Sequence, residues 1–259
     1  MNDEPLLIAE GLTKYYGRRL GCRDASLELY EGEVMAVVGE SGSGKTTLLQ
    51  MLSTQIEPSA GRVLLYRMRD GSVQDLWTMS EPARRFLLRT DWGYVHQDPQ
   101  LGLRMGVSAG GNVGERLMAV GQRHYGDIRA TAADWLSRVE IPRSRIDNTP
   151  RTYSGGLRQR LQIARNLVTA PRLIFMDEPT GGLDVSVQAR LLDLLRRIVA
   201  EMRIAAIIVT HDLAVARLLS NRIMVMKDGQ VIEAGLTDQV LDDPHQPYTQ
   251  LLVSSILPA

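Results

Sequence analysis

The chain has 259 residues, enough for one large domain or one domain with an inserted subdomain. Its 30 Lys and Arg balance 30 Asp and Glu, which leaves no electrostatic reason to expect a nucleic-acid partner. The one cysteine, Cys22, excludes a disulfide framework or a thiolate metal cluster and suits a reducing compartment.

Short apolar runs at 6–9, 26–30 and 34–38 predict strands, and a helix is expected from Lys45. Residues 61–66 predict a further strand. Runs at 172–176 and 204–209 have the continuous apolar character of central strands buried on both faces. Between them Val187, Leu191, Leu194, Leu195, Ile198 and Met202 follow helical spacing over 186–202. Strand, helix and strand of this size imply a right-handed crossover in a parallel sheet. Residues 222–226 and 230–234, joined through Lys227-Asp228-Gly229, predict an antiparallel hairpin. The stretch from 99 to 150 is glycine-rich and then helical at 129–140, which predicts a mostly helical insertion. A helix is expected over 161–169, opened by residues 153–160. Arg84, Arg85 and Arg89 are compatible with a solvated helix face. No apolar run approaches the ~20 residues that span a bilayer. The start Met1-Asn2-Asp3-Glu4-Pro5 lacks the basic-then-apolar order of a signal peptide, so a cytoplasmic protein without direct membrane insertion is expected.

The most specific chemistry lies in Gly39-Glu40-Ser41-Gly42-Ser43-Gly44-Lys45-Thr46, which fits GxxxxGK[ST] between a strand and a helix. Glycines let backbone N–H groups converge on phosphate, and the helix N-terminus adds partial positive charge. Lys45 then reaches the outer phosphates and the Thr46 hydroxyl can ligate magnesium. Downstream, the strand Leu173-Ile174-Phe175-Met176 ends in Asp177 and Glu178. Asp177 is placed to hold magnesium through water, and Glu178 to orient or deprotonate the attacking water. His211, after strand 204–209, is a candidate to bond the terminal phosphate. Gln97, after Gly93-Tyr94-Val95-His96, is a candidate ligand to magnesium or water. Ser154-Gly155-Gly156 opens a helix and reads either as an N-cap and turn or as a second anion site. A second anion site in one chain implies two copies, head to tail, each closing the other's nucleotide: a homodimer with two shared sites.

This ordered set, with Gly181-Gly182-Leu183-Asp184, resembles the ATP-binding cassette ATPases over essentially the whole chain. The resemblance implies an α/β P-loop fold with a mostly parallel core sheet, an antiparallel β portion and an inserted helical subdomain. It makes residues 1–259 a single cassette domain, with the subdomain at about 98–170 and a C-terminal tail at about 237–259. It implies ATP and Mg2+ as ligands, with Gly39, Ser41, Gly42, Ser43, Gly44, Lys45, Thr46 and Thr47 around the phosphates, and hydrolysis of ATP to ADP and phosphate. Tyr16 would stack on adenine, with Tyr15 as the fallback, and Asp184 would communicate across the dimer interface. Pro244-His245-Gln246-Pro247-Tyr248-Thr249 is similar to the tail of peptide and nickel importer ATPases. Residues 16–22, 107–119, 123–126 and 176–195 resemble ATP-binding subunits of bacterial phosphonate carbon–phosphorus lyase systems. That resemblance implies a soluble lyase core docking at about 98–126, with a related second ATPase subunit as a further candidate partner. The alternatives are an importer ATPase for peptides, nickel or phosphonates, and an ATP-gated clamp with incidental turnover. Two departures stand out. Leu157 replaces the glutamine common in the signature loop, and Gly181-Gly182 replaces the commoner Ser-Ala.

Overall fold

A computed structural model describes residues 4–61 and 63–255. Met1, Asn2 and Asp3 of the acidic start, Arg62 of the expected 61–66 strand and residues 256–259 of the expected tail lie outside the described residues. In chain order the elements begin with β1 (Leu7–Tyr16), β2 (Arg19–Leu29), β3 (Val34–Val38), α1 (Lys45–Leu52), β4 (Val63–Arg67) and β5 (Val73–Asp75). Next come α2 (Glu81–Thr90), β6 (Trp92–Val95), α3 (Pro99–Gly102), α4 (Ala109–Ala119), α5 (Tyr125–Arg138), α6 (Gly155–Leu167), β7 (Leu173–Asp177) and α7 (Val185–Met202). Then follow β8 (Ala205–Thr210), α8 (Leu213–Leu219), β9 (Arg222–Lys227), β10 (Gln230–Leu236), α9 (Thr237–Asp242) and α10 (Pro247–Ser254).

The chain forms two compact units, one up to Glu81 together with Arg203 onward, the other Pro82–Met202. In the first unit β2-β1-β4-β5 make an antiparallel sheet, and β10-β9-β3-β8 run side by side with β3 parallel to both β8 and β9. Every residue of β3 and β8 is buried, as their unbroken apolar runs require of strands covered on both faces. The β9–β10 hairpin turns at Asp228 and Gly229, whose φ of 49° and 78° give the two-residue turn with both centres left-handed.

The second unit holds the helical segment. Here β6 and β7 pair in parallel, and α4 packs on α5 and α6. Asn112, fully buried in α4, donates from Nδ2 to the carbonyls of Arg104, Val107 and Ser108 and accepts from Arg104 N, which ties down the loop before its own helix.

Several boundaries differ from the sequence expectations. The runs at 6–9 and 26–30 are only the buried ends of the longer β1 and β2, a ladder running from Leu7↔Leu29 to Tyr16↔Arg19. Its polar residues alternate toward solvent, so apolar content alone truncates it. The helix expected at 129–140 starts at Tyr125, because His124 Nδ1 accepts from Asp127 N, and ends by Glu140, which has φ 58°. The helix expected at 161–169 is Gly155–Leu167, its opening glycines being helical. Strand β5 and helices α8 to α10 carry too little periodic apolar signal to stand out in the sequence, and α2, although amphipathic, shows there only through Arg84, Arg85 and Arg89.

Candidate functional site

In the first unit the parallel register pairs Val38 with Thr210, so the chain turns into the glycine loop and into His211 at the same C-terminal sheet edge. Open parallel sheets bind ligands at this edge. Gly39 has φ 148°, and a Cβ there would lie 2.2 Å from Met226 O, so only glycine lets the loop leave β3 this close to β9. Lys45 opens α1 and is almost fully buried. Its ammonium donates to Gly39 O at 2.8 Å and Glu40 O at 2.7 Å, folding back over the loop. Ser43 Oγ is buried in the same loop without a hydrogen-bond partner, an unspent polar group of the kind a phosphate oxygen satisfies.

A cavity of about 260 Å³ adjoins the loop, lined by Tyr16, Gly42, Gly44, Lys45, Thr46 and Thr47, with Arg19, Leu20 and Gly21. Tyr16 lines it and Tyr15 does not. Tyr16 is 47% exposed, and its ring lies over Gly21, where a Cβ would come within 2.8 Å of Cε2. A half-open ring beside a basic loop suits stacking on a flat aromatic ligand. Arg19 adds a second cation that sequence reasoning missed; its place at the start of β2, across the hairpin from Tyr16, was the available signal. His211 is exposed between two pinned neighbours. Thr210 Oγ1 accepts from Asp212 N at 3.0 Å, and Asp212 caps α8 by accepting from Ala214 N and Val215 N.

In the second unit Val95 pairs with Met176, which brings Gln97 level with Glu178 beyond the strand ends. Asp177 ends β7 half-buried. Glu178 has φ 44°, a left-handed backbone in a residue that precedes proline. Such conformations cost of order 1–3 kcal/mol and gather at functional sites. The turn is closed by Gly181 N donating to Glu178 O at 2.9 Å. A Cβ on Gly181 would lie 3.3 Å from Gln97 Nε2, so glycine in place of the commoner serine leaves Gln97 room against this turn.

Ser154 caps α6 by accepting from Leu157 N at 3.4 Å, which leaves the hydroxyl proton able to donate outward. The N-cap and anion-site readings of Ser154-Gly155-Gly156 are therefore compatible. Gly156 sits under the start of α7, where a Cβ would meet Val187 Cγ1 at 2.6 Å. Asp184 caps that helix, accepting from Ser186 Oγ at 2.8 Å and Val187 N at 3.0 Å. Those bonds, the serine's first, hold its exposed carboxyl below the usual carboxylate range.

Sequence reasoning also missed a set of buried amides on α6. Gln162 accepts from His96 N at 2.7 Å and donates to His96 O at 3.0 Å. Asn166 accepts from Tyr94 N at 3.0 Å and donates to Tyr94 O at 2.9 Å. Paired with β7 on one side, β6 thus receives side-chain amides on the other, in place of a neighbouring strand. The signal was present: two amides at i, i+4 interrupt the apolar face of the helix. Through them the signature helix fixes the backbone that leads into Gln97.

Among the described residues no three His, Cys, Asp or Glu side chains form a metal cage. Mg2+ keeps several waters and takes few protein oxygens, and the side-chain oxygens of Thr46 in the first unit, and of Gln97 and Asp177 in the second, are each of a kind it takes.

The sequence matches the ABC transporter family over residues 22–181. It is 64% identical over 255 residues to a putative phosphonates utilization ATP-binding protein, PhnK, of Escherichia coli, covering 98% of this chain and 99% of that one. It is 34% identical to a putative peptide import ATP-binding protein of Brucella abortus, covering 99% of this chain and 79% of the relative. Among solved structures, cbiO1 of Clostridium perfringens, part of an ABC transporter complex, aligns with a TM-score of 0.77 at 30% identity over 93% of this chain and 92% of that one. A dimeric ATP-binding cassette in a post-hydrolysis state, bound to ADP and Pi, aligns with a TM-score of 0.77 at 27% identity over 89% of this chain and 98% of that one. With its glycine loop, parallel sheet edge and signature helix, the chain belongs to the ABC transporter family as an ATP-hydrolysing ATP-binding cassette of the α/β P-loop class.

Proposed function

We propose that this cassette serves phosphonate breakdown, dimerising on Mg-ATP and docking on a soluble carbon–phosphorus lyase core in the cytoplasm. The observation that carries the reading is the 64% identity, over nearly the whole of both chains, to a phosphonates utilization ATP-binding protein. Dimerisation is supported by the dimeric cassette bound to ADP and Pi, and by a signature helix whose Ser154 retains a donor to spare. No described helix is long and apolar enough to cross a membrane. A related second ATPase subunit is a further candidate partner. The docking face is the segment at about 98–126, where Leu101, Val107, Met118, Val120 and Tyr125 are exposed.

In this reading Tyr16 stacks on adenine, and the loop from Gly39 through Thr47, including Ser41, cradles the phosphates. Lys45 stabilises charge on the transferred phosphoryl group. Glu178 orients the attacking water and takes its proton as the new oxygen–phosphorus bond forms and the bond from the terminal phosphorus to the bridging oxygen breaks, ADP leaving with that oxygen; His211 holds the terminal phosphate. Thr46, Gln97 and Asp177 are the residues that would hold Mg2+, which would supply charge neutralisation for the phosphates. Ser154, Gly155 and Gly156 of one copy close the site of the other, and Asp184 reports across the interface. Leu157 offers no side-chain hydrogen bond there, so cross-dimer closure rests on Ser154 and backbone amides.

The test is a pull-down with Glu178→Gln and Mg-ATP from native extract, read by mass spectrometry, beside steady-state turnover of the same variant. Recovery of soluble lyase subunits with turnover reduced at least 100-fold is expected. Recovery of a polytopic permease would favour the importer reading, which the Brucella abortus relative supports. Unchanged turnover removes Glu178 from the reaction.

A further inference from the structure

The tail bears directly on the glycine loop. Tyr248, near the start of α10 and 9% exposed, accepts through its hydroxyl from the backbone N–H of Glu40 at 3.1 Å, across 208 residues of sequence. That N–H belongs to the same peptide group as the Gly39 carbonyl, which accepts from Lys45 Nζ at 2.8 Å. The Glu40 carbonyl accepts from the same ammonium at 2.7 Å and also from Ser43 N at 3.2 Å. One peptide plane therefore lies between the Tyr248 hydroxyl and the Lys45 ammonium. Donating a bond from its N–H end polarises it and strengthens the carbonyl as acceptor.

We propose that Tyr248 is a positioning residue for the nucleotide site, its hydroxyl fixing the Gly39–Glu40 peptide and through it the Lys45 ammonium. The inference rests on the reading of Lys45 as the phosphate-contacting cation. It goes beyond the matched family region, which stops at residue 181.

The surroundings hold this hydroxyl in place. The Tyr248 ring packs in one apolar cluster with Ala36 and Val38 of β3 and with Leu213, Val225 and Leu241. Lys227 Nζ lies 4.9 Å from its ring centre. The start of α10 is anchored by Glu233, whose carboxylate accepts from His245 N at 2.8 Å and Gln246 N at 3.1 Å. Burial holds the phenol above its usual range, so the oxygen is a neutral acceptor throughout the neutral pH region. The Pro-His-Gln-Pro-Tyr-Thr tail thus has a physical role: its backbone is tied to β10 and its tyrosine to the glycine loop.

The experiment compares Tyr248→Phe, Leu252→Ala and Lys45→Met in the full chain by calorimetric titration with ATP and with ADP. The Glu40 amide is followed by NMR in the first two variants. Tyr248→Phe keeps the ring and removes only the acceptor. The expected result is a 2- to 10-fold loss of ATP affinity, the range of one neutral hydrogen bond, with a smaller loss for ADP. The Glu40 amide proton should move upfield. Leu252→Ala, which loosens α10 without touching the hydroxyl, should lower the melting temperature and leave the ATP-to-ADP ratio unchanged. Wild-type ATP affinity with an unmoved Glu40 resonance in Tyr248→Phe overturns the inference, as does an equal change of ratio in Leu252→Ala. Retention of ATP affinity by Lys45→Met would instead overturn the reading of the site on which the inference rests.

Discussion

Replacing Gln162 by leucine tests whether the signature helix holds β6 through side-chain amides. Gln162 is completely buried, and both ends of its amide meet the His96 backbone. Leucine matches its bulk and removes both of these bonds, together with the one that Gln162 Nε2 donates to Gln159 Oε1 at 3.2 Å. His96 O keeps a bond from Gln159 Nε2 at 3.3 Å, so losing that partner costs about 0.5–1.5 kcal/mol. His96 N–H has no such second bond among those described and is stranded, at about 1–3 kcal/mol. With the bond to Gln159 the losses sum to about 2–6 kcal/mol, and burying two methyl groups in place of the amide returns about 1.5 kcal/mol. Urea unfolding followed by tryptophan emission is the assay, since Trp92 stands on β6 with its ring 5.0 Å from Phe175. Gln162→Glu provides a second arm: it keeps an acceptor for His96 N–H but turns a carboxylate toward His96 O and Gln159 Oε1. Its folded-state pKa should be raised by burial. Its stability should therefore fall as pH rises through the unfolded glutamate value of about 4.3 and stay low at neutrality. A Gln162→Leu loss below about 0.5 kcal/mol would refute the reasoning, because the amides would then not be what pairs the edge of β6.

Three further outcomes follow from close contacts and burial. Gly39→Ala places a Cβ against the Met226 carbonyl, a backbone atom that cannot rotate away, so ATP binding should fall at least 100-fold. Affinity within threefold of wild type by calorimetry contradicts this. Gly156→Ala should cost about 1–3 kcal/mol by overpacking against Val187, and Val187→Ala in the same chain should restore part of it. A double-mutant cycle with coupling under about 0.5 kcal/mol would show that the contact is not shared. Cys22 is fully buried, and burial pushes its thiol up to about 12, so it should resist a thiol-specific disulfide reagent until the chain unfolds. Folding raises this pKa, so the neutral thiol's contribution is complete below the unfolded value. Stability should then decline between about pH 9 and 12, at roughly 1.4 kcal/mol per pH unit, in a denaturation series that Cys22→Ala flattens.

Elements whose cause is local are legible in the amino-acid sequence itself. The glycine loop is written in eight consecutive residues, since backbone amides and a lysine can surround phosphate only at that spacing. Strands β3, β7 and β8 announce themselves because burial on both faces demands unbroken apolar runs, and the Asp228-Gly229 turn because two left-handed residues are needed between paired strands. Half-exposed elements are legible only in part: β1 and β2 lose their solvent-facing lengths, and α5 loses the turn that His124 caps. What tertiary structure alone decides are the pairings between polar groups far apart in the chain. A glutamine on α6 has no sequence mark saying that its amide completes the edge of β6, 66 residues earlier. A tyrosine in the tail has none saying that its hydroxyl meets the amide of Glu40. Burial pattern reports which residues leave water, and hydropathy carries that signal residue by residue. Which buried donor meets which buried acceptor depends on where folding brings distant stretches of the chain together, and no single residue holds that information.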